Sequence, residues 1–410
     1  MPFNSPTPKA TSSASAASTR KASRRRVTAL AVLTLVAGLA LPTAGAAALA
    51  RHGGSTGGDG THGQRETAAV QKVVDELVAG GARPAALAST RERDGRTGNY
   101  TAGYGDLATK SPVPVDGQVR IASNTKPFTS VVVLQLVGEG KIRLDEPIET
   151  YLPGLLRGKG IDGHDITVRQ LLQHTSGLPE YLEQAGPDLL PLLKRYMEPR
   201  ELLDLALTAE ATSAPGTEWK YSNTNYIVAG LLVQKVTGRP LAEEMTHRVI
   251  DRIGLRHTYF PATGEMTIRE EHPKGYVVTA PGETPYDFTE LDPSWGWAAG
   301  GLVSTNSDVN RFYTALLDGR LLRPAQLRQM RTTVPADHIG EGARYGLGLA
   351  GRPLSCGGLY WGHGGDIPGY ETRGGVTEKG RSVNIAVTAL PTDPEEVKGL
   401  EKAVDTLLCR

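Results

Sequence analysis

The chain predicts an α/β protein of the α+β kind. One antiparallel sheet would be built from the N- and C-terminal segments, flanked by helices, with a mostly helical region inserted between the halves. Three observations point there. Strand-like segments cluster at both ends, each cluster with a hairpin signal, Asp94-Gly95-Arg96 early and Glu378-Lys379-Gly380 late. Residues 141–289 carry helical spacing and long loops instead. Amphipathic helical patterns bracket the strands at 67–78 and 394–408. The terminal helices should cover one face of such a sheet and the insertion the other.

The 410 residues include 45 basic and 44 acidic ones, a net charge of +1. That balance argues against nucleic acid or a highly charged substrate. The length allows two domains, or one large domain with an insertion. Residues 1–23 have the Ser-, Ala-, Thr- and Pro-rich composition of disordered chain. Arg24-Arg25-Arg26, the apolar block 27–41 and the small residues of 43–50 then describe a secretory signal peptide over 1–50. Ser23-Arg24-Arg25 with Val27 also fits a twin-arginine leader, and general export is an equally fair reading. The block is broken by Pro42 and short for a span of about 20 apolar residues. Cleavage after Ala46, Ala48 or Ala50 is therefore expected, giving a secreted protein, wall-associated at most, with no membrane span. Residues 51–65 are Gly-rich and read as a flexible linker, and 66–410 as the folded part. In an oxidising compartment the two cysteines, Cys356 and Cys409, suggest one disulfide; two buried thiols are the alternative.

Strands are expected at 85–93 and 97–105, then a buried helix that starts at Ser123 and continues through the apolar run 131–137. Leu144-Asp145-Glu146-Pro147 reads as a turn opening a helix. Thr167-Val168-Arg169-Gln170-Leu171-Leu172 carries another helix into His174-Thr175-Ser176-Gly177. Helices follow at 201–207 and 227–236, the second stopped by Gly238-Arg239-Pro240. Past Gly300, 308–317 and 324–330 are helical, and 345–349, 359–362, 370–377 and 381–390 are short strands.

Chemistry enters with Ser123 and Lys126, three residues apart and so on one face of their helix. A lysine amine whose pKa is lowered by burial can take the serine proton and make a nucleophile. The bland alternative is a helix cap and a solvated lysine. Ser18-Thr19-Arg20-Lys21 matches the same pattern within the expected leader. Tyr221-Ser222-Asn223 precedes an apolar helix; its phenol could serve as base or proton shuttle if a cationic pocket lowers its pKa. His363-Gly364-Gly365 could let a substrate backbone approach an edge strand, with the histidine donating to a bound carboxylate or assisting the tyrosine.

The order Ser-x-x-Lys, Tyr-x-Asn, His-x-Gly, on an early helix, a mid-insertion loop and a late strand, resembles the serine β-lactamase and penicillin-binding family. It is most similar to the D-alanyl-D-alanine carboxypeptidases of actinomycete type and to the class C β-lactamases. The similarity runs from about residue 67 to 410. It takes in Gln135-Leu136-Val137-Gly138-Glu139-Gly140-Lys141, Tyr151-Leu152-Pro153-Gly154, His174-Thr175-Ser176-Gly177-Leu178 and Tyr345-Gly346-Leu347-Gly348-Leu349. The resemblance implies a β-lactamase/transpeptidase-like fold and an acyl-enzyme on Ser123. Lys126 and Tyr221 would manage the serine proton, and the backbone N–H groups of Ser123 and Asp366, just past Gly365, would hold the oxyanion. Asn223 would position the substrate amide, and Tyr221, helped by His363, would protonate the leaving amine. Trp295 would wall the pocket, with core packing an equal alternative. The paired cysteines fit the carboxypeptidase pattern. The implied substrate is a small peptide or β-lactam-like acyl compound, a cell-wall stem peptide first, handled by a monomer without metal or cofactor. His174 is expected to order a loop.

The chain also departs from the pattern. The carboxypeptidases usually read His-Thr-Gly-Thr, whose hydroxyls help bind a terminal carboxylate; this chain reads His363-Gly364-Gly365-Asp366. A carboxylate at that place is unfavourable unless Asp366 points away or pairs with a cation. An arginine often follows the Gly-Leu-Gly-Leu segment; here Ala350 stands there, with Arg352 two residues on. The leading expectation is an exported D-alanyl-D-alanine carboxypeptidase. The alternatives are a relative acting on β-lactams, esters or D-amino-acid amides, and a non-catalytic peptidoglycan- or β-lactam-binding protein.

Overall fold

The computed structural model describes residues 59–81, 83–186, 189–278, 283–391 and 394–410. The expected signal peptide, with its Ser18/Lys21 match, and the linker as far as residue 58 lie outside the described residues. The first helix, α1 (Asp59–Glu76), begins inside the stretch read as linker. Its anchor is the buried pair Val70 and Val74, and a helix once anchored adds further turns at little cost.

Ten strands form one sheet: β1 (Ala85–Arg91), β2 (Thr97–Asp106), β3 (Ser111–Pro112), β4 (Val334–Pro335), β5 (Arg344–Tyr345), β6 (Ala350–Pro353), β7 (Leu359–Gly362), β8 (Gly365–Ile367), β9 (Tyr370–Thr377) and β10 (Ser382–Val387). Their order is β4-β5-β6-β7-β9-β10-β1-β2-β3, with β8 also on β9, and every pairing is antiparallel. The two ends of the chain meet at β1 and β10, in register from Ala86 opposite Val387 to Arg91 opposite Ser382. Around the sheet run α2 (Thr125–Gly138), α3 (Val168–Gln173), α4 (Thr224–Thr237), α5 (Asn306–Leu317) and α6 (Pro394–Cys409), among shorter helices.

The period-2 alternation of strands divides the core. Ala86, Ala88, Val383, Ile385 and Val387 pack with Val70, Val74, Leu400, Val404 and Leu407 of the two terminal helices. Ala85, Leu87 and Ala386 face the larger core, with Phe128, Val131, Leu134 and Tyr226. Both faces are thus covered as the sequence predicts. Between 141 and 289 the structure is mainly helical, with two small ribbons, Arg157–Gly158 with Ile161–Asp162 and Tyr276–Val277 with Tyr286–Asp287. Cys356 and Cys409 are bridged, which ties the turn between β6 and β7 to the end of α6.

Two local expectations fail. Residues 345–349 are not a strand: β5 ends at Tyr345, and Gly346–Leu349 turns back into β6. Gly348 takes φ +77°, and a Cβ there would lie 2.1 Å from Ser130 Oγ. The turn is pressed onto α2, which is why the alternating pattern does not extend. Leu144-Asp145-Glu146-Pro147 opens only the single 3-10 turn Ile148–Thr150. Ile148 N–H is taken by Ile166 O instead of by a longer helix.

Candidate active site

Ser123 sits in the 3-10 turn Ala122–Asn124 that leads into α2. Ala122, just before it, holds φ +46°, a left-handed conformation that is costly for a residue with a Cβ. Surrounding contacts fix it. Asn124 Nδ2 donates to Thr372 Oγ1 at 2.9 Å, and Asn124 Oδ1 accepts from Tyr313 at 2.6 Å. β8 crosses so closely that a Cβ on Gly365 would lie 2.2 Å from Ile121 O. Gly365 is therefore a glycine because the chain's own backbone fills that space, a reason that does not depend on a substrate. Ser123 makes no capping bond; its Oγ faces Lys126 and Tyr221 instead.

α2 is buried nearly all round, and Lys126 is 0 % exposed. Its Nζ has three neighbours: Asn223 Oδ1 at 2.7 Å, Ala299 O at 2.8 Å and Ser123 Oγ at 2.9 Å. Burial lowers the amine from 10.5 to about 7, against the pull of Glu180 and Asp366. A neutral amine has two N–H bonds and one lone pair. The two carbonyl oxygens can only accept, so they take both N–H bonds and leave the lone pair for the Ser123 hydroxyl. That is the geometry of a general base on a nucleophile.

Tyr221 O–H donates to Ser123 Oγ at 2.9 Å. Burial holds the phenol well above its usual value of 10. The expectation of a phenol acidified by a cationic pocket is reversed, because desolvation, with Glu180, Tyr226 and Asp366 adding to it, outweighs the hydrogen bond to Ser123. Tyr221 is a proton donor, and Lys126 is left as the base. Asn223 is oriented by Glu180, whose Oε2 accepts from Asn223 N (2.6 Å) and from Nδ2 (3.0 Å). The amide oxygen is thereby turned towards Lys126. Nothing in the local sequence marks Glu180, since its pairing with Asn223 bridges 43 residues of chain.

His363 lies beside the site, its ring 6.2 Å from that of Tyr221. Its Nδ1–H donates to its own neighbour Gly364 O at 2.5 Å, and its Nε2 accepts from Tyr345 O–H at 2.9 Å. Burial and nearby Lys126 push it down to about 3. It is a neutral, fully engaged ring, which corrects the expected donation to a carboxylate and the expected help to Tyr221. Trp295 is also corrected. Its Nε1 donates to Arg195 O at 2.8 Å, its carbonyl accepts from Tyr181, and it packs in the core away from the cavity. The tryptophan that lines the cavity is Trp219, unmarked by any motif.

The cavity above Ser123 has a volume of about 920 Å³. One wall carries Ser123, Tyr221 and Asn223, and the other His363, Gly364, Asp366 and Arg373. Arg352 and Glu401 of α6 line its far end, and the exposed Lys220 also borders it. Asp366 does pair with a cation: Arg373 Nη1 reaches Oδ1 at 2.7 Å and Nη2 reaches Oδ2 at 3.3 Å. Arg373 Nη2 also meets Glu371 at 3.0 Å. Arg352 is held by Glu401 at 2.8 Å. A metal-like grouping among the described residues, Glu149, Asp162 and His164, lies outside this cavity, and Arg157 already pairs with both of its carboxylates.

The chain is similar to known proteins over most of its length. The family model described as Beta-lactamase matches residues 70–407. A D-stereospecific amidohydrolase from Streptomyces sp. is 38 % identical, with TM-score 0.74, over 81 % of this chain and 97 % of that one. The D-amino acid amidase from Ochrobactrum anthropi SV3 is 30 % identical, with TM-score 0.75, over 84 % and 97 %. Among curated proteins, penicillin-binding protein 4* of Bacillus subtilis is 25 % identical over 76 % of this chain and 69 % of its own length. The putative penicillin-binding protein PbpX of the same organism is 27 % identical over 65 % of this chain, which spans only 60 % of that relative. With its family model matched from residue 70 to residue 407, the chain belongs to the beta-lactamase family and is a serine hydrolase of the β-lactamase and penicillin-binding kind.

Proposed function

We propose that the chain is an exported amidohydrolase that cleaves D-amino-acid amides and similar uncharged acyl donors through an acyl-enzyme on Ser123. The observation that carries the reading is the charge of the second wall. Both of its guanidiniums are already paired, Arg373 with Asp366 and Glu371, and Arg352 with Glu401. A substrate carboxylate entering there would meet Asp366 first, and displacing either pair would strand a partly buried charge. A neutral amide meets no such barrier. The names of the two solved relatives point to the same substrate class.

In this reading the Lys126 lone pair takes the proton of Ser123 as Oγ attacks the amide carbon. The developing oxyanion rests on the backbone N–H groups of Ser123 and Asp366. Tyr221 O–H passes its proton to the departing nitrogen and is reprotonated from the Lys126 ammonium, so ammonia leaves and the acyl ester remains. Water then attacks the ester, giving its proton back through the same pair to Ser123. Asn223 Nδ2 keeps one N–H beyond its bond to Glu180 and can hold the substrate carbonyl side. The test is ammonia release from D-phenylalanine amide and its L enantiomer, beside acylation by p-nitrophenyl acetate. Turnover of the D amide is expected; ester acylation with no amide turnover overturns the reading.

A second reading, D-alanyl-D-alanine carboxypeptidase, is favoured by Lys220, an exposed cation bordering the cavity that could meet a terminal carboxylate. The names of the penicillin-binding relatives support it too. Release of D-alanine from a D-Ala-D-Ala peptide, faster than release of ammonia from the amide, would put it first.

A further inference from the structure

We propose that Arg373 is the specificity-determining residue of the cavity: its guanidinium lies over Gly364, holds Asp366 forward, and so selects substrates without a carboxylate near the scissile bond. The backbone at Gly364 does not require a glycine, since its φ is not positive, whereas that of Gly348 is. What forbids a side chain at 364 is Arg373. A Cβ would lie 3.1 Å from its Nη1, 3.2 Å from Cδ and 3.3 Å from Cζ. A single methyl would require the guanidinium to give by a few tenths of an ångström, and a branched residue would ask more of it.

The guanidinium is not free to shift. Nη1 also donates to Thr372 O at 2.9 Å. Glu371, 0 % exposed, holds Nη2 at 3.0 Å and has Arg83 behind it at 3.9 Å, which in turn donates to Glu396 O of α6. Asp366 and Glu371 face each other across β8 and β9. A row of ionisable groups therefore runs from the cavity into the protein, Asp366, Arg373, Glu371, Arg83, with burial pushing Glu371 up to about 7 against the pull of Arg373 and Arg83. Each burial is tolerable only because its neighbour compensates it. At the cavity end Asp366 keeps 54 % of its side chain exposed. The surface offered to a substrate is thus a carboxylate anchored from behind, not a free cation.

Gly364 and Arg373 should then behave as a pair. Four variants are compared: Gly364→Thr, Arg373→Ala, both together, and Arg373→Ala with Glu371→Gln, which removes the buried acid that Arg373→Ala would orphan. Each is measured with D-phenylalanine amide, a D-Ala-D-Ala peptide and p-nitrophenyl acetate, and its thermal melt is recorded. Gly364→Thr alone should lose about tenfold or more on every substrate, and Arg373→Ala should restore ester acylation in the double variant, a coupling of contacting residues. Both variants that remove Arg373 from an intact Gly364 should shift the ratio of peptide to amide cleavage towards the peptide by about tenfold, each rate being taken relative to ester acylation by the same variant. The proposal fails if Gly364→Thr is tolerated with Arg373 present, or if removing Arg373 lowers all three substrates equally in a folded protein. The preference for amides rests on the proposed function; the coupling of Gly364 to Arg373 does not. If the wild type ignores the amide, that function falls, while the ester still decides the coupling.

Discussion

The two walls of the cavity are built by different rules. On the nucleophile wall, Ser123, Lys126, Tyr221 and Asn223 form one chain of direct contacts, and each polar atom has the partners that its chemistry dictates. Little can change there without losing the base, the donor or the nucleophile. On the opposite wall, the residues facing substrate are held by others that do not, such as Glu371 and Arg83 behind Arg373. There, one exchange can be absorbed by another, as a glycine at 364 is matched by a guanidinium over it. Reaction type is thus lodged in contacts within a motif, and substrate choice in contacts between motif and surroundings.

The comparison can be broken most sharply at the nucleophile. Ser123→Ala should lower amide turnover by at least about 10⁴-fold and abolish any mass adduct with the p-nitrophenyl ester. Retained turnover would show that the nucleophile wall had been misread. Tyr221→Phe removes the only O–H aimed at Ser123 among the described contacts and should cost about 10²-fold or more in kcat. The loss should be smaller with the p-nitrophenyl ester, whose leaving group needs no proton. Equal losses on amide and ester would deny Tyr221 its role as donor.

Lys126 supplies the next effect. Only the neutral amine is a base, so kcat/KM should fall about tenfold per unit as pH drops below about 7. The same depressed value has a cost in stability. Between about 7 and 10.5 the unfolded chain binds a proton that the folded one does not, so stability rises with pH across that window. Below about 7 the cost is complete. Lys126→Met should therefore be inactive yet melt higher than the wild type, with the largest gap at pH 6 and a shrinking one at pH 9. A lower melt at pH 6 would mean that the three hydrogen bonds of Nζ outweigh its desolvation.

The same division explains what could be read from the sequence. Ser123 and Lys126 were legible because a spacing of three puts them on one helix face, and Tyr221 and Asn223 because the order of the motifs resembles that of a known family. The sheet was legible from short strand-like runs and hairpin signals: 359–362 and 370–377 coincide with β7 and β9, and Glu378-Lys379-Gly380 turns the chain into β10. Glu180 and Arg373 were not, since only the fold brings them to the site, and a lone Glu or Arg has no signature. Trp295 lies four residues before Ala299, whose carbonyl does reach Lys126. Its side chain points the other way, into the core. His363 was placed correctly, but its state was not. No motif reveals that Tyr345, eighteen residues earlier, occupies its Nε2.

His363 therefore gives the smallest effect and the finest test of where the chemistry ends. It sits on the motif strand, within reach of Tyr221, yet burial holds it at about 3 and both nitrogens are spoken for. A group that stays neutral from pH 4 to pH 9 contributes no limb to a pH profile in that range. In His363→Gln the amide can still accept from Tyr345 and fills most of the same volume. The expected loss in kcat/KM is less than about tenfold, and the fall below pH 7 should keep its position, because Lys126 alone sets it. The informative outcome is the opposite one. If His363→Gln moved that limb or added a new one, the imidazole would be exchanging protons with the site, and the chemistry would extend across both walls.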